Sequence, residues 1–146
     1  MTISERLLKT LLRLAGGLCV LATFAVFMPT SWMAWCHEQI GLGKFPDAPI
    51  TEYLARSLSA FYAIYGGALV LVAADLRRYA PAIAYLAWTG LVFAVVIGVI
   101  DAVVGLPACW TVAESVLGIL LSVIILVLQR NIRAADARQN SQEVKA

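Results

Sequence analysis

Four runs of apolar residues, 11–28, 54–74, 80–100 and 111–128, leave this chain few ways to fold. Each is close to the ~20 residues that a helix needs to cross the hydrocarbon of a bilayer. None shows the alternation of barrel strands. Hydrocarbon offers no water to bond with, so each run must satisfy its own N–H and C=O groups, which means helix. Of the 146 residues, 62% are hydrophobic and 14% are charged, against roughly 25% charged in soluble domains. A core of this length could not bury so much apolar surface, so lipid must solvate the remainder. The expectation is an all-α protein: a four-transmembrane-helix bundle over 1–128 with a short interfacial helix in its first extracytoplasmic loop. A polar cytoplasmic tail, 129–146, follows as a frayed helical extension.

Local signals agree with these boundaries. Thr2 and Glu5 have the spacing of a capping box. Asp47-Ala48-Pro49 suits the start of the second helix, and Pro81 falls in the first turn of the third, where a missing N–H costs little. The first run has the basic start of a signal peptide but no small-x-small site after it, and it reads as a retained span. Basic flanks set the direction. Arg6, Lys9, Arg13, Arg77, Arg78, Arg130, Arg133, Arg138 and Lys145 lie on one side, and only Lys44 and Arg56 on the other. Positive charge marks the cytoplasmic side. Both termini are therefore expected in the cytoplasm of a bacterial cell with the chain in its inner membrane, and loops 29–53 and 101–110 outside. Basic residues that flank spans without forming an extended patch exclude nucleic acid. The partners implied are the lipid bilayer and a second copy or another membrane protein.

Loop 29–53 is far longer than the roughly 2–8 residues that join neighbouring helices, and it contains the segment Trp32-Met33-Ala34-Trp35-Cys36-His37-Glu38. Pro29-Thr30-Ser31 offers a start and Gly41 a stop. Trp32, Met33, Cys36 and Ile40 share a helical face, with His37 and Glu38 elsewhere. Tryptophan favours the headgroup level, so a short helix lying over the bundle is expected. No metal is expected, because there is one histidine and His37-Glu38-Gln39-Ile40-Gly41 lacks the second ligand of a zinc helix. Cys19 falls inside the first span as a small apolar residue. Cys36 and Cys109 fall one in each outer loop, where they either form a disulfide or remain two separate buried thiols.

Small and polar residues recur at helical spacing. In the second span these are Ser59, Ala63 and Gly66-Gly67, in the third Gly90, Ala94 and Gly98, and in the fourth Gly118 and Ser122. Such stripes let membrane helices approach closely. The charges at the outer ends, Glu52, Arg56, Asp101 and Glu114, form the candidate site together with His37. Glu52 and Arg56 are four residues apart and can meet. Glu114 shares a face with Gly118 and should look into the bundle, where a charge is expensive and usually paired, and Arg56 is the cation available to it. Three carboxylates against one arginine leave two alternatives: His37 supplies a second positive charge, or Asp101 or Glu114 holds a proton. Tyr53, Tyr62 and Tyr65 could line the same pocket.

Arg56 at the start of the second helix, Tyr65-Gly66-Gly67 within it and Glu114 in the fourth resemble the small four-helix bacterial membrane proteins of the DoxX-like kind. The resemblance implies a compact bundle in which Arg56 and Glu114 face each other. Some members of that family are linked to thiol or quinone redox complexes, but a paired CxxC is missing here. Two functions stay open. One is a non-enzymatic bundle whose outer pocket binds a lipid or quinone-like amphiphile or supports a partner. The other is an accessory subunit of a thiol/quinone oxidoreductase, with Cys36 and Cys109 cycling. No resident cofactor is implied in either, a quinone being the one candidate. A proton-coupled transporter is disfavoured by the lack of an inverted repeat or broken span.

Overall fold

The structure, a computed structural model, describes residues 2–143. Lys145, one of the basic residues that set the direction, lies outside the described residues. The chain is helical throughout, with no strand among the described residues. Helix α1 (Ile3–Val20) is followed by α2 (Thr23–Phe27), α3 (Thr30–Gln39), α4 (Pro49–Val72), α5 (Ala80–Val104) and α6 (Ala108–Thr111). A π-helical turn (Val112–Val116) then leads into α7 (Leu117–Glu143). Four stretches are long and apolar enough to cross a membrane: Ile3–Phe27, Pro49–Val72, Ala80–Val104 and Ala108–Arg138. In an apolar 18-residue segment of each, only 11% to 17% of the residues are buried within the protein, so the remaining surface requires an apolar solvent.

Local chemistry accounts for the ends. The side chain of Thr2 accepts from the Glu5 N–H (3.2 Å) while the Glu5 carboxylate accepts from the Thr2 N–H (2.7 Å), closing the expected capping box. Pro49 and Pro81 sit in the first turns of α4 and α5. Helix α3 ends at Gly41, whose φ of 82° is left-handed and cheap only for glycine. There the Leu42 N–H donates to the His37 carbonyl and the Gly41 N–H to that of Glu38, which satisfies the last carbonyls of the helix. Met33 is the one buried side chain of α3. Trp32, Trp35 and Ile40 are exposed, so the expected shared face of Trp32, Met33, Cys36 and Ile40 is divided.

The spans run past the boundaries that hydropathy suggests. The first begins at Ile3 and breaks at Leu21-Ala22, where the Leu21 N–H is shared between the carbonyls of Gly17 and Leu18. The fourth is one rod from Ala108 to Glu143. At 1.5 Å per residue it is about 54 Å long, well beyond the ~30 Å of hydrocarbon, so its charged end must project. Its first part, as far as Asp136, is packed where fraying was expected, and Ala137 and Arg138 beyond it are exposed. Gln129 and Ile132 are buried, and the Gln129 amide donates to the Ala80 carbonyl. Arg77 bonds both Glu5 and Asp136 at 3.1 Å. This arginine ties the start of α1, the α4–α5 connection and α7 at Asp136 into one end of the bundle, where the described residues begin and end.

Helix α1 packs against α4 and α7, and α5 against α7 and more lightly against α4. The α1–α4 crossing is backbone on backbone. A Cβ on Gly66 would stand 2.5 Å from the Gly16 carbonyl oxygen, and a Cβ on Gly16 would stand 2.7 Å from that of Gly66. The predicted stripe of α5 interlocks with the fourth span: Ala94 meets Gly118, Gly90 meets Ser122 and the Tyr65 hydroxyl, and Gly98 meets Ser115, a residue outside the predicted stripe. Toward the termini end the core is filled by Leu8, Leu12, Leu69, Ile83, Ala87 and Ile125. Gly67 has open space beside it. Gly66→Ala is therefore expected to cost about 1–3 kcal/mol through overpacking, whereas Gly67→Ala is neutral or gains up to about 1 kcal/mol of helix propensity. Denaturant titration of the two variants in detergent micelles checks the contrast.

Candidate functional site

The five residues expected to form one charged pocket do not come together. Arg56, about two turns into α4, turns toward the end of α2. Its guanidinium donates to the Val26 carbonyl and to that of Met28 (3.0 Å), and to Glu52 Oε1 through Nε (2.9 Å) and Nη2 (2.6 Å). The last carbonyls of a helix have no intrahelical donor, and Pro29 brings no N–H of its own. An arginine is well suited to this place because its fork can serve several acceptors at once. The Thr30 side chain also bonds Glu52. Arg56 and Glu52 therefore form a clamp that joins α4 to the turn between α2 and α3. The Arg56–Glu114 pair implied by the DoxX-like resemblance is absent, because the orphan carbonyls take up the guanidinium.

His37 is likewise committed within its own loop. Its Nδ1 lies 2.9 Å from the Gly43 carbonyl oxygen, and its ring stands edge-on to Phe45 with centroids 5.4 Å apart. It supplies no charge to the carboxylates. Cys36 is half-buried and Cys109 exposed, and both are free thiols. Helices α3 and α6 are not a closely packed pair, so of the two alternatives the structure shows separate thiols, with Cys109 exposed rather than buried. Tyr53 is exposed, and the Tyr65 hydroxyl donates to the Leu86 carbonyl at 2.8 Å as an α4–α5 strut. Of the three tyrosines, only Tyr62 reaches a carboxylate.

Glu114 and Asp101 remain, together with Tyr62, expected only to line the pocket, and Ser115, which sequence reasoning did not single out. Glu114 lies in the π-helical turn, where each N–H reaches back five residues rather than four and one extra residue is accommodated. The wide turn presents two neighbours to different helices. Glu114 accepts a hydrogen bond from Tyr62 of α4, and Ser115 lies against Gly98 of α5. Ser59 and Ser141, in regular helix, donate to carbonyls four residues back, each at 2.8 Å. Ser115 has no such partner, and its Oγ is buried and unbonded. So is Oδ2 of Asp101, a residue only 3% exposed. The Asp101 carbonyl ends α5 by accepting from the N–H groups of Gly105 (2.9 Å) and Leu106 (3.0 Å); Gly105 has a φ of 77°. Among the described residues, neither Asp101 nor Glu114 is in an ion pair.

Ser115 also lines an open groove of about 430 Å³ between α5 and the fourth span, walled by Ala94, Val95, Val99, Val103 and Ile119. Among the described residues, no group of three His, Cys, Asp or Glu side chains could hold a metal ion. No family model, curated protein or solved structure matches the chain.

With Arg56 and Glu114 serving different partners, their effects on stability should be independent. Arg56→Ala is expected to cost about 1.5–3 kcal/mol through loss of charged hydrogen bonds. The Arg56→Ala/Glu114→Ala double variant should equal the sum of the singles to within about 0.5 kcal/mol. A double-variant cycle by denaturant titration measures this, and partial recovery of stability in the double variant would restore the facing pair.

Proposed function

We propose that this chain is a non-enzymatic membrane protein that binds an amphiphile. The tail of the amphiphile lies in the α5–α7 groove and its polar head reaches the wide turn of the fourth span. The observation that supports this reading is Ser115 Oγ, a buried hydroxyl without a partner in the wall of an otherwise apolar groove. Buried polar groups are nearly always bonded, and each exception needs an explanation. Ligand sites combine an apolar lining with a few polar groups that fix orientation, at volumes of roughly 300–1,000 Å³, and this groove has that character. Acidic side chains at membrane depth are also functional more often than structural. Both a bilayer lipid and a quinone have the tail that the groove requires.

The proposed setting is a bacterial inner membrane with both termini in the cytoplasm, on the asymmetry of basic residues. The groove then opens toward the extracytoplasmic half of the bilayer. Trp32 and Trp35, both exposed on α3, suit the headgroup level on that side. Amphiphile binding does not depend on DoxX-like kinship, which no family model supports. No structural observation favours the redox alternative, since Cys36 and Cys109 are free.

The test is photolabelling of the protein in nanodiscs by a diazirine-bearing long-chain alcohol. Label should concentrate on peptides covering 94–103 and 112–119, and Ala102→Trp, which fills the groove, should reduce it several-fold. Labelling spread evenly over all four spans would remove the groove as a site. In intact cells, a membrane-impermeant maleimide should react with Cys109 if the proposed direction is right.

A further inference from the structure

We propose that the polar head bound here is cationic, so that the ligand is an amphiphilic ammonium compound held between Glu114 and Asp101. This rests on the groove reading and names the ligand class for that same site. Glu114 is bonded to the Tyr62 hydroxyl, and its neighbour Ser115 meets Gly98, one helical turn before the buried Asp101 on α5. The two acids therefore lie at the same level of the bundle, between α4, α5 and the wide turn.

Among the described residues, no cation serves that region. Arg56 is six residues before Tyr62, about 9 Å along the helix, and its donors go to Glu52 and to the carbonyls of Val26 and Met28. His37 is held by Gly43, and Lys44 is exposed in the loop after α3. The other ionisable group brought near Tyr62 is Cys19 of α1, which carries no positive charge. A buried carboxylate without a counter-charge is costly, and one matched by a hydrogen-bonded cation is not.

Donor and acceptor counts lead to the same class. The free atoms, Asp101 Oδ2 and Ser115 Oγ, can both accept. An ammonium offers up to three N–H donors and no acceptor, so it can donate to the two free atoms. A carbonyl head brings acceptors alone and leaves Asp101 Oδ2 unbonded, and a phosphate or sulfate head is repelled. Phe93 stands edge-to-face on Tyr62 with centroids 6.2 Å apart, and aromatic rings beside a desolvated cation add attraction. A bare metal ion is a poorer match, given the lack of a three-ligand cluster among the described residues and the apolar groove beside the site.

The experiment compares diazirine-bearing long-chain ammonium, alcohol and sulfate probes with the same alkyl chain, using wild-type protein in zwitterionic nanodiscs. Midpoints are corrected for labelling of an unrelated membrane protein. The ammonium probe should half-saturate the groove peptides at a concentration at least tenfold lower than the alcohol, and the sulfate should be weakest. Glu114→Gln, which keeps a partner for the Tyr62 hydroxyl, and Asp101→Asn should each remove most of that preference while leaving alcohol labelling in place. Retained alcohol labelling in the groove also reports that the variants are folded. If all three probes saturate alike and Glu114→Gln changes nothing, the cationic head is refuted while the groove stands. If no probe labels the groove, the groove reading falls and this inference falls with it.

Discussion

The contact between the backbones of Gly16 and Gly66 positions most of the rest of the bundle. Lipid tails are as apolar as leucine, so membrane helices gain little from hiding hydrophobic surface against each other and must gain from close packing. Two glycines facing each other let α1 and α4 touch main chain to main chain. Once that crossing is set, helix geometry places the later part of the first span beside the earlier part of α4. The carbonyls of Val26 and Met28 then come within reach of Arg56, and Cys19 comes to lie beside Gly66. The clamp at the α3 end is thus a consequence of the crossing, reached about ten residues further along each helix, some 15 Å away at the α-helical rise.

The two ends of the bundle handle charge differently. At the termini end, Arg77 joins Glu5 and Asp136, the Asp75 carboxylate accepts from the N–H groups of Arg77 and Arg78, and Gln129 bonds Ala80. Glu5, Asp75 and Asp136 all have donors there, and the start of α1 is held to α7. At the α3 end the only arginine is spent on main-chain oxygens and Glu52. Asp101 and Glu114 are left with a tyrosine hydroxyl and a serine that makes no bond. A purely structural network would have to be satisfied throughout to repay its desolvation, and this one is not.

How much of this was legible in the sequence depends on how local each signal is. The four spans, the Thr2–Glu5 box, the starts at Pro49 and Pro81, the stop at Gly41 and the interlocking stripes of α5 and α7 could all be read, because each depends on neighbours along one helix. The charge pairing could not. A run that reads as apolar from 11 to 28 gives no hint of a break at Leu21-Ala22, so it conceals carbonyls that compete for Arg56. Gly16 went unrecognised as a crossing point, because it sits in the consecutive run Ala15-Gly16-Gly17, which does not single out one face of the helix. The π-helical turn had no glycine or proline to announce it. Without it, Glu114 is assigned to the face of Gly118, and Ser115, which actually meets α5, is overlooked.

That wide turn makes the fourth span a rod with two phases. Up to Val112 the side chains keep one angular setting, and from Leu117 onward they keep another, offset by one residue. An α-helix advances about 100° per residue, so deleting a single residue between Val112 and Val116 would close the turn into regular helix and rotate everything before it by that angle. Cys109 and Trp110 would swing to a new side of the rod, while the seam of Gly118 and Ser122 against α5 stayed fixed. Length variation in this segment therefore acts as a coupling between halves of one helix. A change of one residue in chain length there would alter which side chains enter the bundle as thoroughly as several substitutions would, with the composition of the span almost untouched.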